Sequence, residues 1–192
     1  KATLIMHTEP IDNEGPNLFS TAEMLGIEDT VYFSRDRLDF DKMNVLYNIS
    51  DFCLNISYAE GFGLSTLESM MAGVPIVASK TGGLTRQVVN HKTKTQNGVA
   101  LNIDTKVLVG SQSVPYIYED YTNVENVAKG IMKMYNLNKN PKTRKRLKKS
   151  VLKYAREEFS YQKTVDMWHE SLLATVEDFN NNKRNNWDVT TF

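Results

Sequence analysis

The sequence predicts an α/β protein: a Rossmann-like parallel sheet with helices on both faces, followed by C-terminal helices. Three observations point there. Over the first hundred residues, short apolar runs alternate with segments of helical period, the pattern of right-handed βαβ crossovers. Glycine and proline punctuate the changes of period, at Gly26, Gly73 and Pro75. From Asn123 onward the period is helical.

Residues 2–6 form an apolar run read as a buried strand. Residues 17–25 place Leu18, Phe19, Ala22 and Leu25 on one helical face, with Gly26 as C-terminal cap. Residues 30–34 are β-branched and aromatic, hence a strand. Residues 41–49 follow as a helix with Met43, Leu46 and Tyr47 inward. A strand at 52–57 leads to a helix at 64–72 ended by Gly73, and Pro75 fixes the start of a strand at 75–79. A short helix at 84–90 and a strand at 98–103 complete the alternation, while residues 116–121 are left unassigned. Beyond Asn123, a stripe of Val124, Val127, Ala128, Ile131 and Met134 marks one helix. Asn140 and Pro141 read as the N-cap and first-turn proline of the next, in which Leu147, Val151, Ala155 and Phe159 recur every four residues. Residues 163–179 carry Val165, Trp168, Leu172, Leu173 and Val176, expected either to form core or to pack on a part of the protein outside this sequence. One domain over residues 1–179 is expected, truncated at its N-terminus, with 180–192 as a frayed polar tail.

Composition removes several classes. The 192 residues are 41% hydrophobic and 24% charged, so disordered, collagen-like and disulfide-scaffold chains are excluded. With 23 Lys and Arg against 23 Asp and Glu the chain is neutral, which argues against a nucleic-acid partner. The basic run 139–153, with eight Lys or Arg, keeps a four-residue apolar spacing and reads as a solvated helix face; membrane association stays open without being indicated. No apolar run approaches the ~18 residues of a membrane helix. Cys53 is the only cysteine, which rules out an intrachain disulfide and fits a reducing, cytoplasmic setting. Lys1 opens directly into an apolar strand, so the sequence reads as a piece of something longer.

Ligands of open parallel sheets bind beyond the carboxyl ends of the strands, which directs attention to residues 55–83. There Glu60-Gly61-Phe62-Gly63-Leu64-Ser65 ends a strand and opens a helix, Glu68 lies one helical turn beyond Leu64, and Lys80-Thr81-Gly82-Gly83 follows the next strand. Gly61 and Gly63 let the backbone bend sharply and approach a ligand. The first amides of the helix lack intrahelical acceptors and sit at the positive end of its dipole, which suits a phosphate. Of the two acids, one can face a sugar while the other accepts bonds from ribose hydroxyls.

These residues resemble the E-x7-E motif of retaining glycosyltransferases of the GT-B fold, the large glycosyltransferase family 4-like group that includes sucrose and glycogen synthases and bacterial mannosyltransferases. Ser57-x-x-Glu60-Gly-Phe-Gly-Leu, Leu67-Glu68, Ala72-Gly-x-Pro-Ile-Val-Ala-Ser and Gly82-Gly83 follow its order. Residues 2–179 are similar to the later part of its C-terminal, donor-binding domain.

The resemblance implies a hexosyltransferase-type enzyme that moves a sugar from a nucleotide diphosphate sugar to an acceptor with retention of configuration. It implies Glu60 as the acid that holds donor hydroxyls and stabilises positive charge at the anomeric carbon. Gly61, Phe62, Gly63, Leu64 and Ser65 would take the donor sugar and diphosphate, and Glu68 the ribose. The loop of Ser34, Arg35 and Arg37 would border the nucleobase, with Lys80, Gly82 and Gly83 as candidate phosphate or sugar contacts. No metal or other cofactor is implied, and His7, His91 and His169 form no ligand cluster in the sequence.

The family usually supplies an Arg and a Lys from a turn ahead of the first strand seen here, and an acceptor-binding N-terminal domain. Both lie outside this sequence, so the piece alone is expected to be inactive and to bind donor weakly. The ordinary alternatives are a solvated acid at Glu60 or Glu68, a plain turn at Gly82-Gly83, and solvated Arg35, Arg37, Lys80 and Arg86. As a function, the alternative is a non-catalytic nucleotide-sugar binding module; a hydrolysing epimerase of the same architecture would need further acids and a histidine.

Overall fold

The computed structural model describes residues 2–13 and 15–182. Its elements are β1 (Leu4–His7), α1 (Leu18–Met24), β2 (Val31–Ser34), α2 (Phe40–Ile49), β3 (Cys53–Asn55), α3 (Leu64–Met71), β4 (Ile76–Ser79) and α4 (Leu84–Val88), then β5 (Gly98–Leu101), β6 (Thr105–Ser111), β7 (Val114–Tyr121), α5 (Val124–Lys139), α6 (Pro141–Glu158) and α7 (Tyr161–Asn181). The backbone groups into two compact units, Lys1–Met43 and Asn44–Phe192.

In the first unit β1 and β2 pair in parallel, with Leu4 opposite Val31 and His7 opposite Ser34. The crossover helix α1 starts where the Asn17 side chain accepts from the backbone N–H groups of Phe19 and Ser20, at 3.0 and 3.2 Å. Ala22 is buried, and Phe19 meets Phe33 edge-on at 4.8 Å. The expectation of a buried strand at 2–6 is corrected: Leu4 and Ile5 are 43% and 37% exposed. A two-stranded ribbon offers too little apolar surface to cover both of its faces.

In the second unit β3, β4 and β5 form a parallel sheet in that order. Central β4 is buried along its whole length. Its side chains alternate across the sheet. Ile76 and Ala78 join Met70 of α3, Leu84 and Val88 of α4, and Val151, Tyr154 and Ala155 of α6. Val77 joins Val99, Leu101 and Met134 of α5 on the other face. Each buried valine, leucine, isoleucine or methionine among them contributes roughly 1.5–3 kcal/mol by leaving water. Helices thus cover both faces, as the alternating sequence predicts. Asn140 caps α6 through the N–H groups of Lys142 and Thr143, and most cations of the basic run project outward.

Three expectations change. The strand at 98–103 ends at Leu101, and residues 105–121 form an antiparallel hairpin, β6–β7, where no element was assigned. Leu108, Tyr116, Ile117 and Tyr118 on it are all exposed, so no hydrophobic alternation marks it in the sequence. The apolar face of α7 forms no core: Val165, Trp168, Leu172, Leu173 and Val176 are all exposed. The expected tail also begins later, because α7 holds to Asn181 and Asn182 N–H donates to the Asp178 carbonyl; the remainder, 183–192, lies outside the described residues.

One buried carboxylate ties α4, α6 and α7 together. Glu158, its side chain only 2% exposed, pairs with Arg86 and with Lys163 at 2.6 Å, and Lys92 stands 3.4 Å away. Burial pushes its pKa up, but hydrogen bonds from Lys163 and Arg86 outweigh that and hold it at about 2. Arg86 is therefore not simply solvated but an ion-pair partner of Glu158.

Candidate functional site

After β3 the chain turns through half-buried Glu60 into Gly61, Phe62 and Gly63, and α3 begins. Gly63 has φ +89°, and a Cβ there would stand 2.6 Å from Leu84 Cδ2 and 2.7 Å from Thr66 Oγ1. Only glycine fits both the angle and the space. The helix consequently starts without a side-chain cap. Among the described residues, no backbone N–H from Gly61 to Thr66 donates to a protein acceptor. These unpartnered donors gather at the positive end of α3, an arrangement that receives anions.

The segment after β4 rests directly on this turn. Gly83 N–H donates to the Glu60 carbonyl at 3.1 Å. Gly82 has φ +42°, and a Cβ on it would meet the Glu60 oxygen at 1.9 Å; one on Gly83 would meet the Phe62 oxygen at 2.6 Å. Glycine at both positions is thus required by contact between two backbones, whatever else the pair does. Lys80 is exposed, and its backbone N–H extends the β4–β5 ladder to the Leu101 carbonyl at 3.0 Å. The Phe62 ring packs edge-on against Phe159 at 6.0 Å.

Leu64, Ser65 and Glu68 are all exposed on α3. The Glu68 carboxylate accepts from the Tyr47 hydroxyl at 2.9 Å. Burial of that tyrosine, the bond and the nearby negative charge together push its pKa well above the ordinary value. Glu60, Gly61, Phe62, Gly63, Leu64, Ser65, Glu68, Lys80, Gly82 and Gly83 therefore all belong to one unit. Ser34, Arg35 and Arg37 belong to the other. There the Ser34 hydroxyl lies 3.0 Å from His7 Nδ1, and Arg35 pairs with Glu9 at 3.0 Å, both side chains exposed.

Residue-by-residue reading of the sequence missed several groups that touch the turn. Gln87, fully buried, donates from Nε2 to the carbonyls of Phe62 and Gly63 at 2.6 and 3.1 Å. The Thr66 hydroxyl, also buried, stands 2.5 Å from Gln87 Oε1. Their signal was available: each is polar yet shares an inward helical face with apolar neighbours, Gln87 with Leu84 and Val88, Thr66 with Met70. Tyr58, two residues before Glu60, stacks on Tyr121 of β7 at 4.1 Å, and its carbonyl accepts from Asp120 N–H at 2.7 Å. That contact had no signal, since the hairpin itself was not visible. Among the described residues, no three His, Cys, Asp or Glu side chains gather as metal ligands, and no helix is long and apolar enough to cross a membrane.

The chain resembles known proteins in sequence and in fold. Residues 13–154 match the family model described as glycosyl transferases group 1. A D-inositol 3-phosphate glycosyltransferase 2 from Catenulispora acidiphila is 34% identical over 82 residues, 43% of this chain and 19% of that protein. Anabaena HepE, solved with UDP and glucose, superposes with a TM-score of 0.64 at 19% identity, over 90% of this chain and 40% of its own. The catalytic domain of starch synthase IV from Arabidopsis thaliana, bound to ADP and acarbose, gives 0.62 at 19% identity, over 91% and 32%. The chain thus spans less than half the length of these relatives. At such identity the two structures speak for the fold alone.

Proposed function

The chain belongs to the glycosyl transferases group 1 family with the α/β fold of a GT-B C-terminal domain, and on that footing we propose that it is the nucleotide-sugar-binding half of a retaining glycosyltransferase. The observation that carries the reading is the run of unpartnered backbone N–H groups from Gly61 to Thr66, flanked by Glu60 and Glu68.

In this reading the donor diphosphate lies against the amides of Gly63, Leu64 and Ser65. The ribose hydroxyls donate to Glu68, whose carboxylate Tyr47 steadies from behind. The sugar lies at Glu60. As the bond from the anomeric carbon to the diphosphate breaks, its electron pair moves onto the phosphate oxygen. The amides at the start of α3 stabilise that charge without needing to reorganise, and Glu60 stabilises the positive charge left on the sugar. An acceptor hydroxyl held by another part of the protein then bonds to the anomeric carbon, and its proton passes to the departing diphosphate oxygen. Positioning and charge stabilisation do the chemistry, so no metal or further cofactor is invoked. Lys80, Gly82 and Gly83 border the sugar end. That the piece alone is inactive, and that the protein works in the cytoplasm, belong to the same proposal.

The test is sugar transfer by the full-length protein with a panel of nucleotide sugars. Glu60→Ala should lower kcat by about 10²-fold or more, the scale of one lost transition-state contact. Glu68→Ala should act mainly on KM for the donor. Unchanged turnover in both variants would reject the roles given to the two acids, and nucleotide-sugar binding without any transfer by the wild type would favour a binding module that keeps the same pocket.

A further inference from the structure

We infer that Gln87 is a positioning residue for the diphosphate: its side-chain amide sets the direction in which the two leading N–H groups of the turn point. The inference rests on the proposed reading of that turn.

Gln87 Nε2 reaches the carbonyls of both Phe62 and Gly63. Both are pure acceptors, so the side chain must present its NH2 to them and its oxygen to Thr66. The Thr66 hydroxyl stands 2.5 Å from that oxygen and 2.8 Å from the Gly63 carbonyl, with one proton to give between them, so the sense of the amide is set by the two carbonyls. In a trans peptide the C=O of one residue and the N–H of the next point in opposite directions, and no cis bond occurs among the described residues. Drawing the Phe62 carbonyl inward therefore turns the Gly63 N–H outward. Drawing the Gly63 carbonyl inward turns the Leu64 N–H outward. These are two of the three donors assigned to the diphosphate.

Gln87 is itself braced. Its own carbonyl accepts from Asn97 Nδ2 at 2.7 Å, and Asn97, 1% exposed, accepts through its carbonyl from Ile76 N–H of central β4. A buried path of hydrogen bonds thus runs from the middle strand to the phosphate amides. Glutamine is chemically specific here. Glutamate would set a carboxylate against two carbonyl oxygens, and methionine would fill the volume but leave the Phe62 carbonyl unheld, while the Gly63 carbonyl would keep the Thr66 hydroxyl at 2.8 Å and Leu67 N–H at 3.1 Å.

The experiment compares wild type with Gln87→Met, and with Thr66→Val and Thr66→Ser as milder changes that leave Gln87 in place. All use the full chain. The probes are UDP, ADP and GDP, of which the tightest binder is carried forward, together with its parent nucleoside. Calorimetry gives affinities, and ¹⁵N amide spectra report on Gly63 and Leu64. The expected result is a loss of about tenfold or more in nucleoside diphosphate affinity for Gln87→Met, with nucleoside affinity unchanged, as losing one charge-assisted contact would give. The Gly63 and Leu64 amide resonances should move in the same variant. Thr66→Val should lose a few-fold, and Thr66→Ser should restore it.

Equal loss for diphosphate and nucleoside would mark a merely structural role and overturn the inference. So would unchanged diphosphate affinity with still amide resonances in Thr66→Val, should Gln87→Met fail to fold. If wild type binds none of the diphosphates while the Gly63 and Leu64 resonances still move, the reading of the turn as a diphosphate site fails and the brace on its peptides stands.

Discussion

The turn at residues 60–66 and the hairpin at 105–121 are both short surface pieces of the same unit, and they are held in opposite ways. The turn is gripped from inside: Gly82 and Gly83 lie against its backbone, and Gln87 and Thr66 bond to it from buried positions. The hairpin is gripped at its base, where Tyr121 stacks on Tyr58, Asp120 N–H reaches the Tyr58 carbonyl and the Asp104 carboxylate accepts from Asn123 N–H at 2.8 Å. Beyond the base most of its apolar side chains are exposed, Val109 being half-buried. A site that must hold donors in fixed directions is built where every neighbour restricts it, and the sequence there tolerates few residue types. An exposed ladder is restricted only by its own backbone pairing.

Breaking the turn should have the largest effect. Gly82→Ala would force a Cβ to within 1.9 Å of the Glu60 carbonyl at a φ of +42°, and relief requires the turn to move. A loss of roughly 3 kcal/mol in stability is expected, together with loss of stabilisation by nucleotide in a thermal melt. A melting temperature equal to that of wild type would show that the two segments do not bear on each other as described.

Next comes the Glu158 latch, a buried carboxylate with no part in the proposed chemistry. Its folded pKa of about 2 lies below the ordinary 4.5. Its contribution is therefore complete above pH 4.5 and is lost as pH falls toward 2. Glu158→Gln should cost on the order of 2 kcal/mol at neutral pH, and the difference from wild type should shrink through that acid window. Equilibrium unfolding at several pH values measures it, and a difference independent of pH would show that the carboxylate charge is not what matters.

The smallest effect is expected on the hairpin. Tyr118→Ser and Leu108→Ser alter exposed side chains and should each change stability by no more than about 0.5 kcal/mol. A larger loss by chemical denaturation would mean that the hairpin packs more tightly than its exposure indicates.

Legibility in the sequence follows the same division. Burial on both faces leaves apolar runs, and capping leaves fixed residue types, so β4, α3 and the Asn140-Pro141 start of α6 could be read directly. The Glu60–Glu68 motif was legible because Gly61 and Gly63 bracket a strand end and a helix start, which is local chemistry. The hairpin was not, since both of its faces meet water. Nor was the exposure of α7, because a helical apolar stripe looks the same whether or not anything covers it.

By itself, then, the amino-acid order determined the βαβ alternation, the helix starts and the two acids around a glycine turn, since each depends on residues close together in the chain. Only the tertiary structure decided that Gly82 and Gly83 support Glu60, that Gln87 reaches Phe62 from 25 residues away, and that Arg86 pairs with Glu158. Those are contacts between segments brought side by side by sheet pairing, and neither period nor local spacing encodes which polar side chain will meet which backbone there.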